Sequence, residues 1–142
     1  MEAVQKLIKE LMKMDIENLV SDALLKLEKK FIALQRGQMK AGKTSEGGEI
    51  GDYTSERYIQ RRKKRGLITT HVTLHFTGKF YQSLKLEKRG KETWLTTNCS
   101  YSENISKRYG IDIYDLNSTG RAKLVSDVAE IVSEKMILNL KT

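Results

Sequence analysis

Residues 37–44 read GQMKAGKT, and Gly37, Gly42, Lys43 and Thr44 stand at the spacing of a phosphate-binding loop. Such a loop works because a buried strand delivers it and a helix starts at the Lys-Thr pair, aiming unpaired backbone N–H groups at the anion. Here the helical stretch KKFIALQR precedes the motif and the glycine-rich SEGGEIGD follows it, so neither element is expected. No later apolar strand ends in an Asp that would hold magnesium. His71 and His75 are four apart in HVTLHF, which alternates as a strand does; on a strand they lie about 13 Å apart and cannot share a metal. Cys99 stands alone, no Gly-x-Ser-x-Gly elbow occurs, and the acid pairs Asp112/Asp115 and Glu46/Glu49 lack partners converging from other elements. The expectation is a chain that is not an enzyme and needs no cofactor or metal.

The strongest chemical signal is charge. Arg57, Arg61, Arg62, Lys63, Lys64 and Arg65 place six basic side chains within nine residues. The segment 53–91, whose only acids are Glu56 and Glu87, carries a net +9, and the rest of the chain nearly cancels, leaving +8 overall. A field focused in this way attracts polyanions or an acidic protein surface. The run can be a solvated helix face, a grip on nucleic acid or a patch for an acidic partner. Neutralising several phosphates would give steep salt dependence without sequence specificity, and no RNA-recognition, zinc-finger or helix-turn-helix signature points to a dedicated reader.

The elements that must position these residues follow from periodicity. Residues 3–36 carry apolar side chains at steps of three and four, predicting a long amphipathic helix with an interruption at Met14 and Asp15, where Asp15 can cap the second part, and a stop at Gly37. One helix of that length would span roughly 50 Å, too much for this chain to cover, so part of its stripe is expected to meet another subunit. Residues 37–52 form a Gly-rich loop, flexible by composition. A short helix capped by Thr54 or Ser55 carries the basic run up to Gly66. LITTHVTLHF then reads as a strand, Thr77-Gly78 as a turn, and KLE and TWLTT as a hairpin closed at Gly90. SENISKRYG is a short helix with Ser102 as its cap and Gly110 as its stop, and Asn117 or Ser118 caps a closing helix over 121–140. The predicted fold is α+β, one domain over 1–142, with long N- and C-terminal amphipathic helices packed on a small antiparallel sheet.

With 39% hydrophobic and 31% charged residues the composition is that of a globular chain. Neither a membrane span of roughly 18 to 20 apolar residues nor a secretion signal is present, so no membrane is expected and the chain reads as intracellular.

Taken in order, GDYTSERYIQRRKKRG, HVTLHFTGKFYQSLKL, KRYGIDIYDLN and the closing helix resemble the neck or tail-completion (head–tail connector) minor structural proteins of tailed bacteriophages. The residues carrying the likeness are Thr77, Gly78, Phe80, Tyr81 and Ser83 in the turn and Tyr109-Gly110 after it. The resemblance covers roughly residues 37–140, and the order of the motifs is more specific than any one of them. It implies a non-enzymatic virion component, assembled in the host bacterial cytoplasm, that forms a homo-oligomeric ring between portal or head-closure proteins and the tail tube. In such a ring the basic patch would line the DNA channel, touching DNA without specificity, or dock on a neighbour. The alternative is a nucleic-acid-binding accessory protein using the basic helix 57–65.

Overall fold

The computed structural model describes residues 2–141, with side chains from 4 to 140. Among these residues the fold is α+β: seven α-helices and a two-stranded antiparallel sheet.

The N-terminal stripe forms three helices, α1 (Glu2–Met12), α2 (Ile16–Lys26) and α3 (Glu28–Lys40). The break before α2 is where Asp15 was expected to cap: its carboxylate accepts the Asn18 N–H at 3.1 Å. A second break, at Leu27, carries no glycine or proline. Packing sets it, since Leu24, Leu25 and Leu27 all rest against the core. The interruption expected at Met14 and Asp15 is present, and the second break, at Leu27, corrects the expectation: the stripe makes three helices, all of which meet the closing helix.

The stop expected at Gly37 is also corrected. The α3 helix runs on to Lys40 because the next turn carries Gln38 and Met39, both buried, whose packing outweighs the roughly 1 kcal/mol that an interior glycine costs. The loop expected over 37–52 therefore starts at Ala41. It folds as a tight hairpin in which Thr44 donates to Gly48 O at 2.8 Å and Ile50 to Gly42 O at 2.8 Å, and Ser45 N reaches Asp112 O at 2.7 Å.

Ser55 caps α4 (Glu56–Lys64), accepting the Tyr58 N–H at 3.3 Å. The following segment, 67–76, is irregular and unpaired, bending at 70, 71 and 76, which corrects the strand expected over LITTHVTLHF: its backbone bonds to side chains and loop rather than to a neighbouring strand. Gly78, at φ 88°, opens the short helix α5 (Lys79–Ser83), and Phe80 and Tyr81 go into the core.

Strands β1 (Lys85–Arg89) and β2 (Glu92–Thr96) pair as expected, Leu86 opposite Leu95 and Arg89 opposite Glu92, so Gly90 and Lys91 make a two-residue turn. Both strands pack on α2, and β1 also meets α3, whose Glu28 carboxylate accepts the edge N–H of Leu86 at 2.9 Å. Lys91 in the turn pairs with Asp15 at 2.7 Å, which holds the Asp15 carboxyl below the usual carboxylate range.

Helix α6 (Ser102–Tyr109) ends at Gly110, φ 83°, as expected, although Tyr101 rather than Ser102 occupies its cap position. A 3-10 turn (Ile111–Ile113) leads to α7 (Ser118–Lys141), started by the Asn117 side chain, which accepts the Gly120 N–H at 3.1 Å. The α7 helix packs on α1, α2 and α3. The core joins Phe31, Ile32 and Met39 of α3 with Phe80, Tyr81, Leu84, Leu86, Leu116 and Leu124.

Candidate functional site: an aromatic and basic groove

The basic run divides according to the geometry of α4. Successive helix positions differ by about 100°, so five neighbouring cations cannot share one face. Arg62 points inward and is 1% exposed. Its guanidinium donates from Nε to Ile68 O at 2.8 Å, from one terminal nitrogen to His75 O at 2.6 Å, and from the other to Thr73 Oγ1 at 3.1 Å. Tyr53 covers its face at 4.4 Å. This removes Arg62 from the surface patch expected from the sequence: it organises segment 67–76 around itself. Arg57, Lys63 and Lys64 remain exposed, and Arg61 and Arg65 turn toward the Phe76 ring, 5.3 and 4.5 Å from its centroid.

Arg61 stands at the edge of an open groove of about 460 Å³ between α4, segment 74–79 and α6. Leu74, Phe76 and Ile105 line its apolar part. Tyr53, Tyr58, Tyr101 and Tyr109 form its aromatic sides. Lys79 and Arg108 join Arg61 as its cations, and among the described residues no carboxylate lines it. Tyr53 and Tyr58 meet edge to face at 5.4 Å, and Tyr58 lies 5.9 Å from Phe76. Burial pushes the phenols of Tyr109 and Tyr101 upward, so both stay neutral donors in ordinary conditions.

Two further buried networks fix the surroundings. His75 lies 5.1 Å from the Tyr81 ring. Burial, then the charges of Lys40, Arg62 and Arg65, holds its pKa below the ordinary imidazole value. The Tyr81 phenol donates to Thr73 O, and its own pKa is raised by burial. On the other side of α3, Gln35 and Gln38 clasp segment 113–117: Gln35 donates to Ile113 O at 2.9 Å and accepts from Asp115 N at 3.2 Å, and Gln38 donates to Asp115 O and accepts from Asn117 N, both at 2.8 Å.

The turn residues behind the phage resemblance have identifiable positions. Thr77 lines the groove, Gly78 supplies the left-handed turn, Phe80 and Tyr81 fill the core, and Ser83 donates to Phe80 O at 2.6 Å. Tyr109 lines the groove, and Gly110 ends the helix that brings it there. Sequence reasoning missed Leu74, Lys79, Tyr101, Asn104, Ile105 and Arg108 as groove residues. The signal was present for α6, where positions 101, 104, 105 and 108 share one helix face.

The other chemical candidates do not come together. Gly42, φ 73°, packs so close to His71 that a Cβ there would lie 2.6 Å from the imidazole, and Lys43 faces Glu49 at 3.8 Å. No helix starts at Thr44 to present N–H groups to a phosphate. His71 bonds to Lys40 O at 2.8 Å while His75 faces Tyr81. Asp115 pairs with Arg121 at 3.1 Å, and Cys99 is a half-buried free thiol. Among the described residues no three His, Cys, Asp or Glu side chains gather as a metal site, and no helix is long and apolar enough to cross a membrane. No protein-family model, curated protein or solved structure matched this chain.

Proposed function

We propose that the chain is a non-enzymatic structural subunit of a tailed-bacteriophage head–tail connector or tail-completion ring, a virion component assembled in the bacterial cytoplasm. The order of motifs from the basic helix through the Thr-Gly turn to Tyr109-Gly110 and the closing helix supports it. The observation that carries it is the apolar surface left open on the two terminal helices. Val4, Leu7, Ile8 and Met12 on α1, with Met12 79% exposed, and Val125, Ile137 and Leu138 on α7 all face outward. Apolar side chains grouped on one face of a helix mark a surface meant for contact. In a ring each copy offers one surface and receives another, and closure follows from the rotation between neighbours. Portal, head-closure or tail-tube proteins are the neighbours this reading requires. Electron microscopy of particles made with and without the gene tests it: DNA-filled heads lying apart from tails are expected in its absence, and intact infectious particles would sink the reading.

A nucleic-acid-binding role is the second reading, favoured by Arg57, Lys63 and Lys64, which stay exposed and pair with no carboxylate among the described residues. It predicts duplex binding that weakens steeply with salt. When Arg57, Arg61, Lys63 and Lys64 become Ala, the slope should shrink by about one for each phosphate left without its cation. Arg62 stays untouched in that variant so that the fold survives. Unchanged binding would show that this face is not the grip.

A further inference from the structure

We infer that the groove between α4 and α6 is the socket for the outward face of α7 from a second copy of this chain. The inference deepens the ring reading and rests on it for its occupant.

The groove asks for a partner that is apolar and acidic together. Its inner surface is apolar and aromatic, and its cations Arg61, Lys79 and Arg108 pair with no carboxylate among the described residues. Phe76 has Arg61 and Arg65 laid over its ring, and Tyr53 has Arg62 on it at 4.4 Å. Those ring faces are covered, so they offer poor platforms for stacked bases. A guanidinium held against a ring keeps its N–H donors free at its edge, in the fork geometry that suits a carboxylate. Leu74 adds a second sign. It holds φ at 62°, a left-handed conformation that disfavours any residue with a Cβ, and it lines the groove. Strain of this kind persists where a side chain must be presented in one particular place.

The outward face of α7 has the matching chemistry. Leu124 and Val128 turn to the core and Asp127 pairs with Lys30, which fixes the inward side. Val125, Ala129, Ser133 and Ile137, spaced by four, make an exposed stripe, and Glu130 and Glu134 stand beside it, exposed and without an ion pair to any described residue. A helix entering a groove by anchors four apart, with acids meeting a basic edge, is a recurrent mode of recognition. The α7 helix packs on α1, α2 and α3, whereas the groove is formed by α4, α6 and the segment between. One copy therefore presents socket and plug on different elements, the condition for a head-to-tail contact.

The test uses charge reversal on the full chain. A socket variant carries Arg61→Glu and Arg108→Glu, and a plug variant carries Glu130→Lys and Glu134→Lys. All are surface changes, and circular dichroism checks that each variant is folded. Sedimentation at low salt should show the native chain self-associating and each variant alone reduced to monomer, its association about 100-fold weaker or less. An equal mixture should associate again, the two variants alternating, because the plug of each has the charge that suits the socket of the other. A chain carrying all four changes should associate again. Variants that associate like the native chain, a mixture that stays monomeric, or a native chain monomeric throughout would each overturn the inference. So would an oligonucleotide that binds in the groove while association is untouched. Failure of the ring reading is separable: particles intact without the gene, alongside a working charge swap, would remove the connector role and leave the interface standing.

Discussion

The hairpin 85–96 and the segment 67–76 both read as strands and meet different fates. The segment LITTHVTLHF has the stronger strand composition, rich in threonine and β-branched or aromatic residues, while the hairpin KLEKRGKETWLT is half charged. In the hairpin the backbone satisfies itself, β1 against β2, across a turn that Gly90 makes possible. In 67–76 side chains carry most of the bonding: Arg62 donates to the carbonyls of Ile68 and His75 and the Tyr53 hydroxyl accepts the Thr73 N–H at 3.2 Å, while Leu67 and Val72 donate to backbone carbonyls outside the segment. A ladder spreads its bonds over many residues, whereas a clasp concentrates them in one. The two regions should therefore fail very differently when a single residue is changed.

Arg62→Ala should give the largest effect. It strips partners from two carbonyls and a hydroxyl and opens a hole beneath Tyr53, and three acceptors left unpaired at about 1–2 kcal/mol each cost about 3–5 kcal/mol together. Urea unfolding should show that loss with the hairpin sequence untouched. Arg62→Lys should recover little, since a point charge cannot serve three acceptors in a plane. A change within about 1 kcal/mol for Arg62→Ala would break the contrast between clasp and ladder.

Gln35 is a clasp without charge, fully buried and bonded at both ends of its amide. Gln35→Leu keeps the volume and leaves Ile113 O and Asp115 N unpaired, at about 2–4 kcal/mol for two buried groups. The same measurement checks it. A loss well above that of Arg62→Ala would mean that charge adds nothing to a clasp.

Gly90→Ala tests the ladder side. Gly90 sits at φ 62° before Lys91 at negative φ, and nothing lies within 4 Å of where its Cβ would be. The only cost is backbone conformation, about 1–2 kcal/mol. A thermal midpoint lower by a few degrees is expected, with the strands still paired by amide exchange. Loss of the hairpin itself would show that the ladder is as fragile as the clasp.

This contrast also explains what could be read from the sequence. Features whose causes are local were legible: the caps at Asp15, Ser55 and Asn117, the turn at Gly90 and the stop at Gly110 each depend on residues within three or four positions. Features set across the chain were not. The break at Leu27 and the passage of α3 through Gly37 answer to core packing that no local pattern announces. The basic run was visible as charge, but Arg62 reads like its neighbours until helix rotation and the loop around it are known. The groove was half visible: Arg61 and Tyr109 were singled out, while Arg108 looked like an ordinary surface cation.

The smallest effect should come from pH, and it probes the clasp from inside. The His75 carbonyl accepts from Arg62, while its ring, pressed by burial and by Lys40, Arg62 and Arg65, binds a proton less readily than in the unfolded chain. Above about pH 6.5 both states hold a neutral ring and the contribution is fully present. As pH falls from there through the lower folded value, the unfolded chain takes up the proton first, so stability declines. The urea midpoint should drop modestly between about pH 7.5 and 5.5, and His75→Gln should flatten that slope while keeping the backbone carbonyl that Arg62 uses. A slope unchanged by the substitution would assign the pH response elsewhere; a rise in stability on acidification would mean that the clasp tolerates a second positive charge beside its guanidinium.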